Sequence, residues 1–159
     1  MYSEEHNGTS FQVFLPIVEL PAETSNSSVE QLPHGSETIL FVDDEKLLLE
    51  IGKELLESLG YRVETRASSI DALEAFRVQQ GKYDLIISDM TMPKMGGEHL
   101  AMEIKKIQPN VPIILCTGFS TRLNAENLLK TGVSKVLMKP VTMNELAVSV
   151  RRALDMASS

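Results

Sequence analysis

Apolar and polar positions along this chain follow two alternating rhythms. Short apolar runs at 38–42, 62–65, 85–88, 113–116 and 135–138 have the length of strands. Between them the apolar residues recur every three or four positions. Leu47, Leu48, Ile51, Leu55, Leu56 and Leu59 form one such stripe, stopped by Gly60 where a helix C-terminus favours glycine. Ala72, Leu73 and Phe76 form a second, opened by Ser68 with Asp71 three residues on. Leu100, Ile104 and Ile107 make a third, closed by Pro109. Leu128 and Leu129 before Gly132 mark a fourth. The last carries Leu146, Val150 and Leu154 behind a capping box of Thr142 and Glu145.

Five strands alternating with five helices predict an α/β fold. Because crossovers between parallel strands are right-handed, the sheet is expected to be parallel with helices on both faces. The runs at 39–42, 85–87 and 113–115 are continuously apolar, as strands buried on both sides must be. The run at 62–65 alternates and reads as an edge. Ahead of this block, residues 21–36 are rich in Ser, Glu, Pro and Asn and too poor in large apolar groups to offset the entropy of ordering them. They read as a linker. Residues 1–20 precede it, with Phe11, Val13 and Leu15 alternating like one further strand. The main domain is placed at 37–157.

Composition narrows the function. An apolar share of 43% fills a core, while a net charge of −7 argues against holding nucleic acid, which takes clustered Lys and Arg. Cys116, the one cysteine, lies in an apolar run and reads as an inert core thiol rather than part of a metal site or disulfide. His6, His34 and His99 lack metal-ligand spacing, and Met90, Met92 and Met95 read as flexible packing. No stretch has the length of a membrane span and no signal pattern opens the chain, so the expected compartment is the cytoplasm, with no membrane contact from this segment.

The chemistry collects at the strand ends. In an open α/β sheet, ligands bind beyond the C-terminal ends of the strands. The first strand delivers Asp43, Asp44 and Glu45, the third Asp89, the fourth Thr117 and Gly118, the fifth Lys139 and Pro140. Taken singly, these are helix caps, turn residues or a surface lysine. Together they gather carboxylates that repel one another unless a cation joins them. An oxygen-only set of short carboxylates suits Mg²⁺. Asp89 is then placed to act as nucleophile, with Lys139 and Thr117 taking the oxygens of a transferring phosphoryl group.

On Asp43-Asp44, Asp89-Met90-Thr91-Met92-Pro93 with Gly96 beyond, Thr117-Gly118 and Lys139-Pro140, and on the intervals between them, the block resembles a response-regulator receiver domain over that family's full length. The resemblance implies a flavodoxin-like sheet of order 2-1-3-4-5 and a cis bond before Pro140. It implies that Asp89 accepts a phosphoryl group from a kinase histidine. It also implies that Asp44, Asp89 and the Thr91 backbone carbonyl bind Mg²⁺, with Asp43 assisting through water. Partners would be a histidine kinase or a histidine phosphotransfer protein. The receiver would promote its own phosphorylation and dephosphorylation without being a kinase.

Two departures qualify that picture. Where many receivers carry an aromatic switch three residues before the lysine, this chain has Val136. Thr91 and Phe119, which flank the site, supply no carboxylate or amide to orient water, so a long-lived phosphorylated form is expected. The N-terminal run from Asn7 to Pro16 resembles the closing strand of a histidine-kinase ATP-binding domain. This implies the C-terminal receiver of a hybrid histidine kinase, with membrane anchoring of the parent chain left open. The alternatives are a free-standing response regulator, and a small-substrate phosphatase or phosphotransferase built on the same Asp and Mg²⁺. A module that only binds proteins is disfavoured, since every site position holds the functional residue type. With no output domain after Ser159, direct transcriptional control is not expected.

Overall fold

A computed structural model of the chain describes residues 32–118 and 129–159. The expected strand within 9–20, the linker up to residue 31, Phe119, and Leu128 of the expected fourth helix lie outside the described residues.

Five parallel strands form one sheet: β1 (Thr38–Val42), β2 (Arg62–Arg66), β3 (Leu85–Asp89), β4 (Ile113–Thr117) and β5 (Lys135–Met138), in the order β2-β1-β3-β4-β5. The order is the one the family resemblance implies, and β2 is an edge as its alternation indicates. Helices α1 (Lys46–Ser58), α2 (Ser69–Val78) and α3 (Gly97–Ile107) follow the first three strands, and a C-terminal helix spans Met143–Ala157.

The strand period of two sorts the core into layers. Ile39, Phe41, Ile87, Ile114 and Cys116 point to one face, where α1 supplies Leu49, Leu55 and Leu56 and the C-terminal helix supplies Leu146 and Val150. Their neighbours Leu40, Val42, Ile86, Ile113 and Leu115 point to the other, against Phe76 of α2 and Leu100 and Ile104 of α3. Burial on both faces explains why the central strands read as unbroken apolar runs.

The helix ends obey local rules. Ser68 accepts hydrogen bonds from the backbone N–H groups of Ile70 and Asp71, and Thr142 Oγ1 accepts one from Glu145. Gly60 stops α1 in the left-handed region at φ 96°, its N–H donating to the Glu57 carbonyl. Ahead of β1, Leu32 packs on the core, the Gly35 N–H donates to the Leu59 carbonyl, and Glu37 pairs with Arg151 of the C-terminal helix at 2.9 Å. Contacts to the domain therefore begin within the polar stretch that precedes it.

Cys116 is buried and free, and burial pushes its thiol up to about 12, which keeps it unreactive as expected. Met92 is buried, with Met90 and Met95 packed beside it, so the methionines of the loop after β3 serve packing.

Phe76 is fully buried and stacks on Tyr83 with ring centroids 6.1 Å apart. Phe76→Ala is expected to cost about 3–5 kcal/mol. The check is a lower urea midpoint at unchanged slope; a shift under about 1 kcal/mol would mean that this face of the core tolerates the cavity.

Candidate functional site

Sheet register carries the chemistry to one edge. Val42 pairs with Ser88, Asp89 with Cys116, and Thr117 with Met138, so the residues that end β1, β3, β4 and β5 come out level. The Lys139 N–H donates to the Thr117 carbonyl at 2.7 Å, and the Met90 N–H to the Cys116 carbonyl at 2.8 Å, extending the ladders one step past the strands. The Lys139–Pro140 peptide is cis.

The Lys139 ammonium lies between two buried carboxylates, 3.0 Å from Asp43 Oδ2 and 2.8 Å from Asp89 Oδ1. Each acid has its other oxygen engaged by the backbone. Asp43 Oδ1 accepts from the Glu45 N–H at 2.9 Å, which fixes it against the start of α1. Asp89 Oδ2 accepts from the Thr91 N–H at 3.0 Å. Asp44 is exposed, yet one carboxylate oxygen from each of Asp43, Asp44 and Asp89 lies within 4.8 Å of the others.

Three carboxylates thus face one ammonium. Burial raises the Asp89 carboxyl above its ordinary value, and the Asp43 charge adds to that, while Lys139 and the Thr91 N–H pull the other way without cancelling it. Burial opposes charge on Lys139 too, but its hydrogen bonds to Asp89 and Asp43 outweigh that and raise its pKa. The two directions on one ion pair are compatible: the lysine gains two anions, whereas Asp89 gains one cation and loses water. Lys139 stays charged, and the cluster keeps surplus negative charge. Hard oxygen donors with uncompensated charge fit a divalent cation such as Mg²⁺.

Of the residues expected here, Asp43, Asp44, Asp89 and Lys139 are brought together. Thr91 is joined to Asp89 through its N–H. Thr117 is buried at the end of β4, and its hydroxyl donates to the Gly118 carbonyl at 3.4 Å rather than to the acids. Val136 is half-buried and packs on the core, and His99 is exposed.

Gly97 was not singled out from sequence. A Cβ there would stand 2.1 Å from the Asp89 carbonyl oxygen, so α3 can start this close to the acid only at glycine. The pair Gly96-Gly97 after the acid was the available signal.

Known proteins resemble the chain in sequence and in fold. The family model for the response regulator receiver domain matches residues 39–151. The sensor kinase CckA of Brucella abortus is 33% identical over 162 residues, covering 96% of this chain and 17% of the kinase. The transcriptional regulatory protein ZraR of Escherichia coli is 34% identical over 123 residues, covering 77% of this chain and 27% of the regulator. The chain therefore spans well under a third of either relative's length. Among solved structures, a response regulator receiver domain protein from Clostridium thermocellum superposes with a TM-score of 0.74 at 37% identity, covering 77% of this chain and 97% of that one.

The raised Asp89 carboxyl has a consequence for stability. A carboxyl raised by folding ionises more readily in the unfolded chain, so it withdraws stability as pH climbs from about 3.9, the ordinary aspartate value, through the folded value. Asp89→Asn is expected to stabilise the metal-free protein at pH 7, with a gain that shrinks as pH falls toward 3.5. Thermal melts across that range check it; a gain independent of pH, or a loss at pH 7, would contradict the burial argument.

Proposed function

The chain belongs to the response regulator receiver domain family, and on that footing we propose that it accepts a phosphoryl group on Asp89 from a histidine of a kinase or phosphotransfer partner. The observation that carries the proposal is the arrangement around Lys139, which holds the acid against Asp43 while leaving the cluster short of positive charge. An Asp89 oxygen forms the new bond to phosphorus as the bond from phosphorus to the donor nitrogen breaks, giving an aspartyl phosphate. Asp43, Asp44, Asp89 and the Thr91 carbonyl would hold Mg²⁺, which when bound supplies charge that offsets the phosphoryl oxygens. Lys139 keeps its proton throughout and is placed to follow the incoming charge. For the Thr117 hydroxyl to take part, it must turn from the Gly118 carbonyl.

A macromolecular partner is favoured over a small substrate by the surface beside the acid. Between α1 and the C-terminal helix a half-open, mainly apolar groove of about 510 Å³, lined by Leu48, Ile51, Met143 and Leu146, runs up to Asp43 and Lys139, and Ile51 and Met143 are more than half exposed. Such a groove suits the apolar side of a histidine-bearing helix. A phosphatase would instead require an enclosing pocket over Asp89.

We further infer that the receiver derives from a hybrid histidine kinase of the cytoplasm or its membrane face. The match to the sensor kinase runs over 96% of the chain, whereas that to the regulator runs over 77%. The difference supports reading residues 1–20, with the kinase-like run from Asn7 to Pro16, as the end of a kinase domain and 21–36 as a linker.

Intact-mass measurement after incubation with Mg²⁺ and acetyl phosphate tests the chemistry. The native chain is expected to gain one phosphoryl group that is lost on mild base treatment, and Asp89→Asn to gain none. Equal labelling of the variant would move the acceptor elsewhere, and multiple turnover of phosphomonoesters would favour the phosphatase reading.

A further inference from the structure

The segment from Met90 to Gly96 leads from Asp89 to α3 and carries Thr91. It is short, and it contains Lys94 in the left-handed region at φ 68°, where a side chain is strained. A conformation of that kind persists only where its surroundings hold it. Two backbone bonds contribute: the Met95 N–H donates to the Pro93 carbonyl at 2.8 Å, and the Gly97 N–H donates to the Met90 carbonyl at 2.9 Å. A third restraint comes from another element. Ser69, in the first turn of α2 and 1% exposed, donates its hydroxyl proton to the Met95 carbonyl at 2.7 Å.

That hydroxyl has no duty in its own helix. Ser68 does the capping, accepting from the N–H groups of Ile70 and Asp71. Alanine at position 69 would favour the helix more than serine does. Met92 Sδ lies 3.5 Å from the same Ser69 oxygen, but a serine has one proton, and the carbonyl is both the nearer and the stronger acceptor. The hydroxyl therefore joins α2 to the residue beside the strained Lys94, in the loop whose other end donates the Thr91 N–H to Asp89 Oδ2.

We propose that Ser69 is a positioning residue for the phosphoacceptor site: its bond to Met95 fixes the 90–96 loop so that Thr91 meets Asp89 and the carboxylate cluster in the orientation the site uses. This rests on the reading of Asp89 as phosphoacceptor with Mg²⁺, and it adds a residue from the first turn of α2 to that site. Loss of the hydroxyl leaves the fold intact but frees the loop.

The test compares Ser69→Ala with Ser68→Ala in the full chain. The second variant removes the helix cap and lowers stability, yet it touches no part of the loop. Two readouts are taken: hydrogen exchange of the amides of residues 91–97 without metal, and the Mg²⁺ concentration that half-saturates labelling by acetyl phosphate. Ser69→Ala is expected to exchange faster in this loop and to need about tenfold more Mg²⁺, the scale of one lost hydrogen bond. Ser68→Ala is expected to match the native chain in both. Should the two variants behave alike, or Ser69→Ala keep the native Mg²⁺ requirement, the positioning role is overturned. If the native chain itself takes no label, the phosphoacceptor reading fails first, and unchanged loop exchange in Ser69→Ala would separately remove the clamp.

Discussion

One ammonium between two buried acids organises this protein. Lys139 comes from the end of the last strand, Asp43 from the first and Asp89 from the third, and they meet within hydrogen-bond distance. A buried carboxylate is costly unless paired, so these contacts restrict how the strands end and how far each may slide. A shift of one residue in β1, β3 or β5 would turn an acid or the lysine toward the apolar layers. The parallel order β2-β1-β3-β4-β5 delivers all three groups to one edge, and the cores on the two faces hold the strands in that register. The pairing remains incomplete, because Asp44 adds a third carboxylate. An electrostatic deficit built into a rigid frame is what a binding site for a cation and a phosphoryl group requires.

Much of this was legible from the chain. Period two against period 3.6 separated strands from helices, and unbroken apolar runs marked Ile39, Leu85 and Ile113 as interior. Ser68, Gly60 and Thr142 announced helix ends because their chemistry is local. The four strand-end residues could be grouped because a parallel sheet always presents its C-terminal ends together. Strand order itself is not local. It came from resemblance to a family rather than from periodicity, since hydrophobic pattern does not say which strand lies beside which.

What stayed hidden depends on distances between elements. The direction of the Thr117 hydroxyl, turned to the Gly118 carbonyl, is set by rotation about one bond that no spacing reveals. Gly97 is required by an approach of α3 to the Asp89 carbonyl, visible only once both are placed. Ser69 resembles a second capping residue beside Ser68, and its bond to Met95 crosses 26 positions. Side chains that hold a loop from a neighbouring helix carry no sequence signature of their own. They are found by asking where each buried hydroxyl spends its proton.

The central claim is that the carboxylate cluster carries more negative charge than Lys139 offsets and therefore takes a divalent cation. Calorimetric titration of the metal-free chain with MgCl₂, beside Asp44→Asn, tests it most directly. The account predicts one saturable site on the native protein, with affinity falling at least about tenfold when Asp44 loses its charge. Absence of saturable binding, or equal binding by both proteins, would contradict it.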